Sequence, residues 1–181
     1  MVILGGAFND VLTGGTGADT LVGGLGSDTL SGGLGSDTFR YVNERAGSSA
    51  DGGLGGIVGD VINDFDFGKT NATQADRLDL SDLFDFSFSP KAPTGNATDD
   101  ANLLVDGGFV SIIKSLAFDK DGVLKTDLQF WVDRDGGGTF AQLTTLKNVT
   151  DALGGDTAIK GEESTSELLR KLLDENRLVV A

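Results

Sequence analysis

The sequence predicts an all-β chain: a parallel β-roll at the N-terminal end, extended or capped by a β-rich region and finished by one short C-terminal helix. Three observations predict it. A nine-residue repeat opens the chain, apolar and acidic residues alternate through 59–68 and 76–83 with further strand candidates after them, and only the last stretch carries helical spacing. These divide the chain into a roll over 1–40, a β-rich capping region over 41–161 and a helix with tail over 162–181.

Residues 5–13, 14–22, 23–31 and 32–40 read GGAFNDVLT, GGTGADTLV, GGLGSDTLS and GGLGSDTFR. Each places Asp at its sixth position (Asp10, Asp19, Asp28, Asp37) and a large apolar residue at its eighth (Leu12, Leu21, Leu30, Phe39). This is the pattern GGxGxDxUx of a calcium-binding parallel β-roll. The glycines allow the positive φ angles of a tight turn and bring backbone carbonyls close, while Asp adds a short anionic oxygen of the kind calcium prefers. The candidate metal ligands are therefore Asp10, Asp19, Asp28 and Asp37, with Gly5, Gly14, Gly23 and Gly32 opening each turn.

One nonad makes one turn and one strand, so two make a coil, with Asp10 stacked over Asp28 and Asp19 over Asp37 on two flanks. Adjacent coils lie one strand spacing apart, ~4.8 Å, where two carboxylates repel by roughly 3 kcal/mol at an effective dielectric near 20. The inward Leu and Phe side chains contribute ~1.5 to 3 kcal/mol each on full burial, too little to overcome that repulsion and the ordering entropy. The roll is expected to close only around a cation. A Gly-rich flexible linker shares the Gly, Ser and Thr content, but has no reason to repeat Asp and a hydrophobe in phase. The first nonad carries Phe8 where Gly is usual, which marks its turn as the weakest ligand set. Val2-Ile3-Leu4 fits the end of an earlier nonad, so the roll is expected to extend upstream in the parent protein.

Composition narrows the function classes. Net charge is -14, and of 28 acidic residues only five are Glu. Short Asp side chains suit turns and calcium loops. No basic stripe is present to follow a phosphate backbone, which argues against nucleic acid, and the charge disfavours anionic membrane surfaces. The sequence holds no Cys and no His. Disulfides, zinc thiolates, thiol catalysis, the Ser-His-Asp triad and the HExxH zinc site are thereby excluded, and no residue supports an assigned catalytic role. No apolar run approaches the roughly 20 residues of a membrane span.

Beyond the roll, 37–42 continues as a strand and 46–59 is a small-residue loop. GDVINDFDFG over 59–68 and DRLDLSDL over 76–83 alternate apolar with acidic residues, as short strands with one buried face do. Pro90, Pro93, Gly95 and Asn96 mark 87–100 as a surface loop, and strands are expected at 109–113, 128–132 and 140–146. The turn VDRDGGGTF could hold a calcium through Asp133 and Asp135, or be a plain Gly-rich hairpin. Asp119-Lys120-Asp121-Gly122 is a weaker acidic turn. In 162–176, Leu168, Leu169, Leu172 and Leu173 share one helical face, with Ser164 or Thr165 as N-cap.

The nonads, DVINDFDFG, DRLDLSDL, VDRDGGGTF, LTTLKNV and the terminus LLRKLLDENRLVV together resemble the C-terminal region of a large RTX adhesin, of the subclass ending in a type I secretion target domain. The resemblance implies that Asp60 and Asp64 of D-x-I-x-D-F complete the last calcium sites. Asp76 and Asp79 match a second stretch of the family less closely, and for all four the alternative role is a solvated acidic strand face with N-capping. The helix and tail most simply cap the open end of the β-layered core, and they also resemble the signal read by the type I secretion ABC transporter complex. The implied protein is a monomeric, secreted or bacterial cell-surface one. Serralysin-like proteases share roll and cap but finish on an acidic residue before the apolar run, where this chain has Arg177. Other readings are the tail of a secreted hydrolase, or a module gripping glycans through calcium. For the latter, Tyr41, Trp131 and the Phe84, Phe86, Phe88 series are the candidate exposed aromatics.

Overall fold

The structure is a computed structural model, and it describes residues 1–42, 59–68, 74–83, 104, 108–118, 121, 124–133, 138, 140–147, 149 and 165–180. Of the sequence expectations, the 46–59 loop apart from Gly59, the 87–100 loop, Phe84, Phe86, Phe88, Asp135, Ser164 and the acidic turn at 119–122 apart from Asp121 lie outside the described residues.

The nonads coil as their period requires. β1 (Val2–Gly6), β3 (Thr20–Gly24) and β5 (Thr38–Val42) stack in parallel on one flank, β2 (Val11–Thr16) and β4 (Thr29–Leu34) on the other. Ile3 pairs with Leu21 and Leu12 with Leu30, a shift of two nonads per coil. Both stacks then continue past the repeats. β6 (Asp60–Ile62) pairs with β4, and β7 (Arg77–Asp82) pairs with β5. β8 (Val110–Phe118), β9 (Leu124–Val132) and β10 (Ala141–Leu146) form an antiparallel meander that joins β6 through β10. With β11 (Leu178–Val179), the result is a five-stranded sheet ordered β1-β3-β5-β7-β11 and a six-stranded sheet ordered β2-β4-β6-β10-β9-β8.

Because each eighth-position residue lands over its predecessor, two apolar ladders run through the molecule. Ile3, Leu21, Phe39 and Leu78 make one; Leu12, Leu30, Ile62 and Leu146 make the other. Both feed one hydrophobic core, with Ile3 and Leu12 only partly buried at its N-terminal end. Phe65 packs between Phe39 and Phe67, at centroid separations of 5.8 and 4.9 Å. The core therefore extends well beyond the repeats, so the nonads close against a ready apolar surface.

The helix α1 spans Thr165–Asp174 and buries Leu168, Leu169 and Leu172, the face its spacing predicts. Asn176 follows at φ 54°, the left-handed conformation that ends helices. The tail caps the core, and it does so as a strand, which its sequence does not announce. β11 adds to β7 in parallel, pairing Leu178 with Leu78, and the tail buries Leu178 and Val180. It thereby covers the edge of the five-stranded sheet.

Candidate metal centre

The nonad turns place their carboxylates in two columns. On one flank Asp10 N–H donates to Asp28 Oδ1 at 2.8 Å, and Asp28 N–H to Asp60 Oδ1 at 2.7 Å. On the other, Asp19 N–H donates to Asp37 Oδ1 at 2.8 Å, and Asp37 N–H to Asp76 Oδ1 at 2.9 Å. Each of these acceptor carboxylates is thus held by one oxygen to the backbone of the coil before it. In three of them the second oxygen is left over: Oδ2 of Asp28, Asp37 and Asp60 is buried with no hydrogen-bond partner among the described residues, and so is Oδ2 of Asp19, whose Oδ1 accepts from the Met1 ammonium. An unpartnered buried carboxylate oxygen is costly, and a repeated one marks where a cation belongs.

The glycines shape the same space. A Cβ on Gly32 would collide with Asp37 Oδ2, and one on Gly23 with Asp28 Oδ2, so the opening glycine of each turn leaves room beside its own Asp. Gly35 has φ 139° and lies against the Gly17 backbone, where any side chain would strain the turn. In the first nonad the corresponding position is Phe8, which is 82% exposed and is not among the residues with positive φ. Among the described residues no three acidic side chains gather as a ligand set. An ion in these turns must draw most of its oxygens from backbone carbonyls, which suits a hard cation that takes six to eight oxygens.

Electrostatics favours the same conclusion. Burial pushes the Asp28 carboxyl up, and Asp10 repels its charge while the Asp10 N–H partly offsets this. Asp37 is raised by burial too, with Asp19 and Asp64 repelling it. Asp60 and Asp76, at the column ends, are each pushed up to about 7, chiefly by burial.

The remaining candidates fall in different places. Asp64 is exposed and bridges the fourth turn, accepting from Gly32 N–H at 3.0 Å and Gly33 N–H at 3.1 Å. Asp133 is 1% exposed just past the end of β9 and accepts from Gly138 N–H at 2.5 Å. Asp79 turns instead to Ser81, accepting from its N–H and hydroxyl, and to Arg40 at 3.8 Å. Asp76 belongs to the column more firmly than its sequence context indicated. The available signal was Asp76-Arg77-Leu78, which repeats the Asp-x-apolar triplet of Asp37-Thr38-Phe39 without the glycines. Tyr41 needs correcting: it is not an exposed aromatic but 3% exposed, because its position on β5 points its ring into the core. Trp131 is half-buried, its indole N–H donating to Gln129 Oε1 at 3.4 Å.

Fold and site together define a calcium-binding β-roll. Residues 4–39 match the RTX calcium-binding nonapeptide repeat in four copies, and repeats of this kind bind calcium. No curated protein sequence matches the chain. Among solved structures it is similar to the AlgE6R3 subunit of the Azotobacter vinelandii mannuronan C5-epimerase, at 29% identity and TM-score 0.46, covering 89% of this chain and 77% of that one. The AlgE6R2 subunit of the same enzyme aligns at 21% identity and TM-score 0.28, covering 82% of this chain and 84% of the other. Likeness at this level does not carry the epimerase activity to the present chain.

Proposed function

We propose that this chain is a calcium-dependent folding module at the C-terminal end of a large exported adhesin. It is unfolded in the cytosol, is exported through a type I secretion ABC transporter that reads its helix and tail, and folds on extracellular calcium as a non-enzymatic monomer at the cell surface or beyond. The observation that carries the reading is the pair of stacked carboxylate columns with unpartnered Oδ2 oxygens.

Asp10, Asp19, Asp28 and Asp37, with backbone carbonyls of the turns opened by Gly5, Gly14, Gly23 and Gly32, would hold the ions, and Asp60 and Asp64 complete the last turns. Bound calcium supplies the positive charge that the columns lack. Below the ~10⁻⁴ to 10⁻³ M affinities of extracellular calcium modules, as in the cytosol, the turns repel and stay open. When calcium exceeds the dissociation constant about tenfold, each site adds roughly 1.4 kcal/mol, shared along the stack. The tail accords with this order of events. Leu178 and Val180 are buried once β11 pairs with β7, so a receptor can read them only before folding.

Far-UV circular dichroism during a titration from chelator to about 10 mM calcium, with magnesium as control, tests the reading. A cooperative, calcium-selective gain of β signal is expected. A chain equally folded in chelator and in calcium would refute it.

A further inference from the structure

The two carboxylate columns end differently from the way they run, and the difference lies outside the repeats. Asp76 closes one column with both oxygens taken by backbone, Oδ1 by Asp37 N–H at 2.9 Å and Oδ2 by Asp66 N–H at 2.8 Å. Asp60 closes the other with Oδ1 on Asp28 N–H, but no backbone donor reaches its Oδ2 among the described residues. What faces Asp60 instead is the phenol of Tyr41, which also faces the Thr144 hydroxyl. Tyr41 Oη, Asp60 Oδ2 and Thr144 Oγ1 are all fully buried, and none of the three makes a well-formed hydrogen bond to any described residue. Three oxygens that have lost water and have only one another to satisfy them act as a unit.

Their addresses give the trio its meaning. Tyr41 stands on β5 in the five-stranded sheet, Asp60 on β6 in the six-stranded sheet, and Thr144 on β10, which pairs in parallel with β6 and begins the antiparallel meander. Thr144 is the register partner of Asp60. Tyr41 thus brings the opposite sheet to a column carboxyl, and the same phenol faces a hydroxyl of the meander.

We propose that Tyr41 and Thr144 are positioning residues that orient Asp60 through a buried hydroxyl clamp, and that this clamp couples calcium occupancy of the Asp10-Asp28-Asp60 column to docking of the β8-β9-β10 meander. The inference rests on the calcium-dependent folding proposed for the chain. With the clamp made, Asp60 Oδ1 is presented to Asp28 N–H and the last coil of the roll is fixed against β10. With the clamp broken, the coil and the meander order independently.

Trp131, the single tryptophan of the chain, stands on β9 and reports the meander, while equilibrium dialysis of calcium reports the roll. Both are measured on the full chain and on the Tyr41→Phe, Thr144→Val and Thr144→Ser variants. In the parent chain the Trp131 fluorescence transition is expected to track calcium bound. In Tyr41→Phe and Thr144→Val it should shift to roughly tenfold higher calcium, the factor carried by one buried hydrogen bond to a charged group, and part from the binding isotherm. Thr144→Ser keeps the hydroxyl and should restore the coincidence, which a purely steric role of Thr144 would not predict. Coincident curves in Tyr41→Phe and Thr144→Val overturn the coupling while leaving calcium-dependent folding intact. If Tyr41→Phe does not fold at saturating calcium, Thr144→Val against Thr144→Ser decides alone. A parent chain whose dialysis and fluorescence both ignore calcium overturns the folding proposal itself.

Discussion

Asp37 and Asp76 neighbour one another in the same column, yet their chemistry differs by one oxygen. Asp37 has one oxygen on backbone and one with no partner among the described residues, whereas both oxygens of Asp76 accept backbone N–H groups. Substituting Asn should separate the two roles. Asp37→Asn keeps an acceptor for Asp19 N–H but loses the anionic oxygen, so calcium affinity is expected to fall by about an order of magnitude, and calorimetric titration should show one site weakened or lost. Asp76→Asn turns an amide NH₂ toward a backbone N–H, so it should lower stability by about 1 to 3 kcal/mol in saturating calcium with stoichiometry unchanged. The same affinity loss in both variants would show that the columns do not distinguish their members as the hydrogen bonds indicate.

The C-terminal strand is the element whose role is most at odds with its sequence. Residues 178–180 form a short apolar run beyond the helix, and nothing local requires such a run to pair with a strand about a hundred residues earlier. β7 offers an open parallel edge with Leu78 inward, and Leu178 completes the ladder of Ile3, Leu21, Phe39 and Leu78. The N-terminal side of the strand is secured by Leu78 N–H donating to Arg177 O at 2.7 Å. Leu178→Asp should therefore cost about 2 to 4 kcal/mol by placing an unpaired charge where an aliphatic side chain was buried. Val179→Thr, on the half-buried face, should stay within about 0.5 kcal/mol. Urea unfolding of both variants in saturating calcium measures the contrast; equal losses would mean that β11 does not hold its place in solution.

For the whole molecule, calcium and protons are alternative ways to relieve the same repulsion. Asp60 and Asp76 are pushed from 3.8 up to about 7, chiefly by burial. A carboxyl with a raised folded pKa binds its proton more tightly when folded, so its contribution to stability is complete below about 4 and is lost as pH rises through about 7. Asp28 and Asp37 are shifted in the same direction. In chelator, β content followed by circular dichroism should thus rise as pH falls from about 8 to about 5. In limiting calcium the same acidification should weaken binding, because protons compete for the ligand carboxylates. An apo chain whose β content does not change across that window would contradict the buried, repelling columns.

The sequence by itself determined the coil: nine residues per strand and turn, two strands per coil, Asp10 over Asp28 and Asp19 over Asp37, and the inward Leu and Phe ladder. These follow from local rules, since turn glycines and the period-two strand specify each nonad and near-identical nonads can only stack in register. The helical face of Leu168, Leu169 and Leu172 was legible for the same reason, being a matter of spacing within one element. The family resemblance pointed to Asp60 at one column's end, but only the tertiary structure decided that Asp76 closes the other and which backbone N–H each carboxylate meets. The partner of Asp37 N–H lies 39 residues downstream, and that of Asp28 N–H lies 32 residues away, beyond segments that carry no nonad. It also decided that Tyr41 faces inward to Asp60 and that the tail becomes a strand. Both depend on which edge of which sheet remains to be covered, and sheet edges are a property of the assembled strands that no single segment carries.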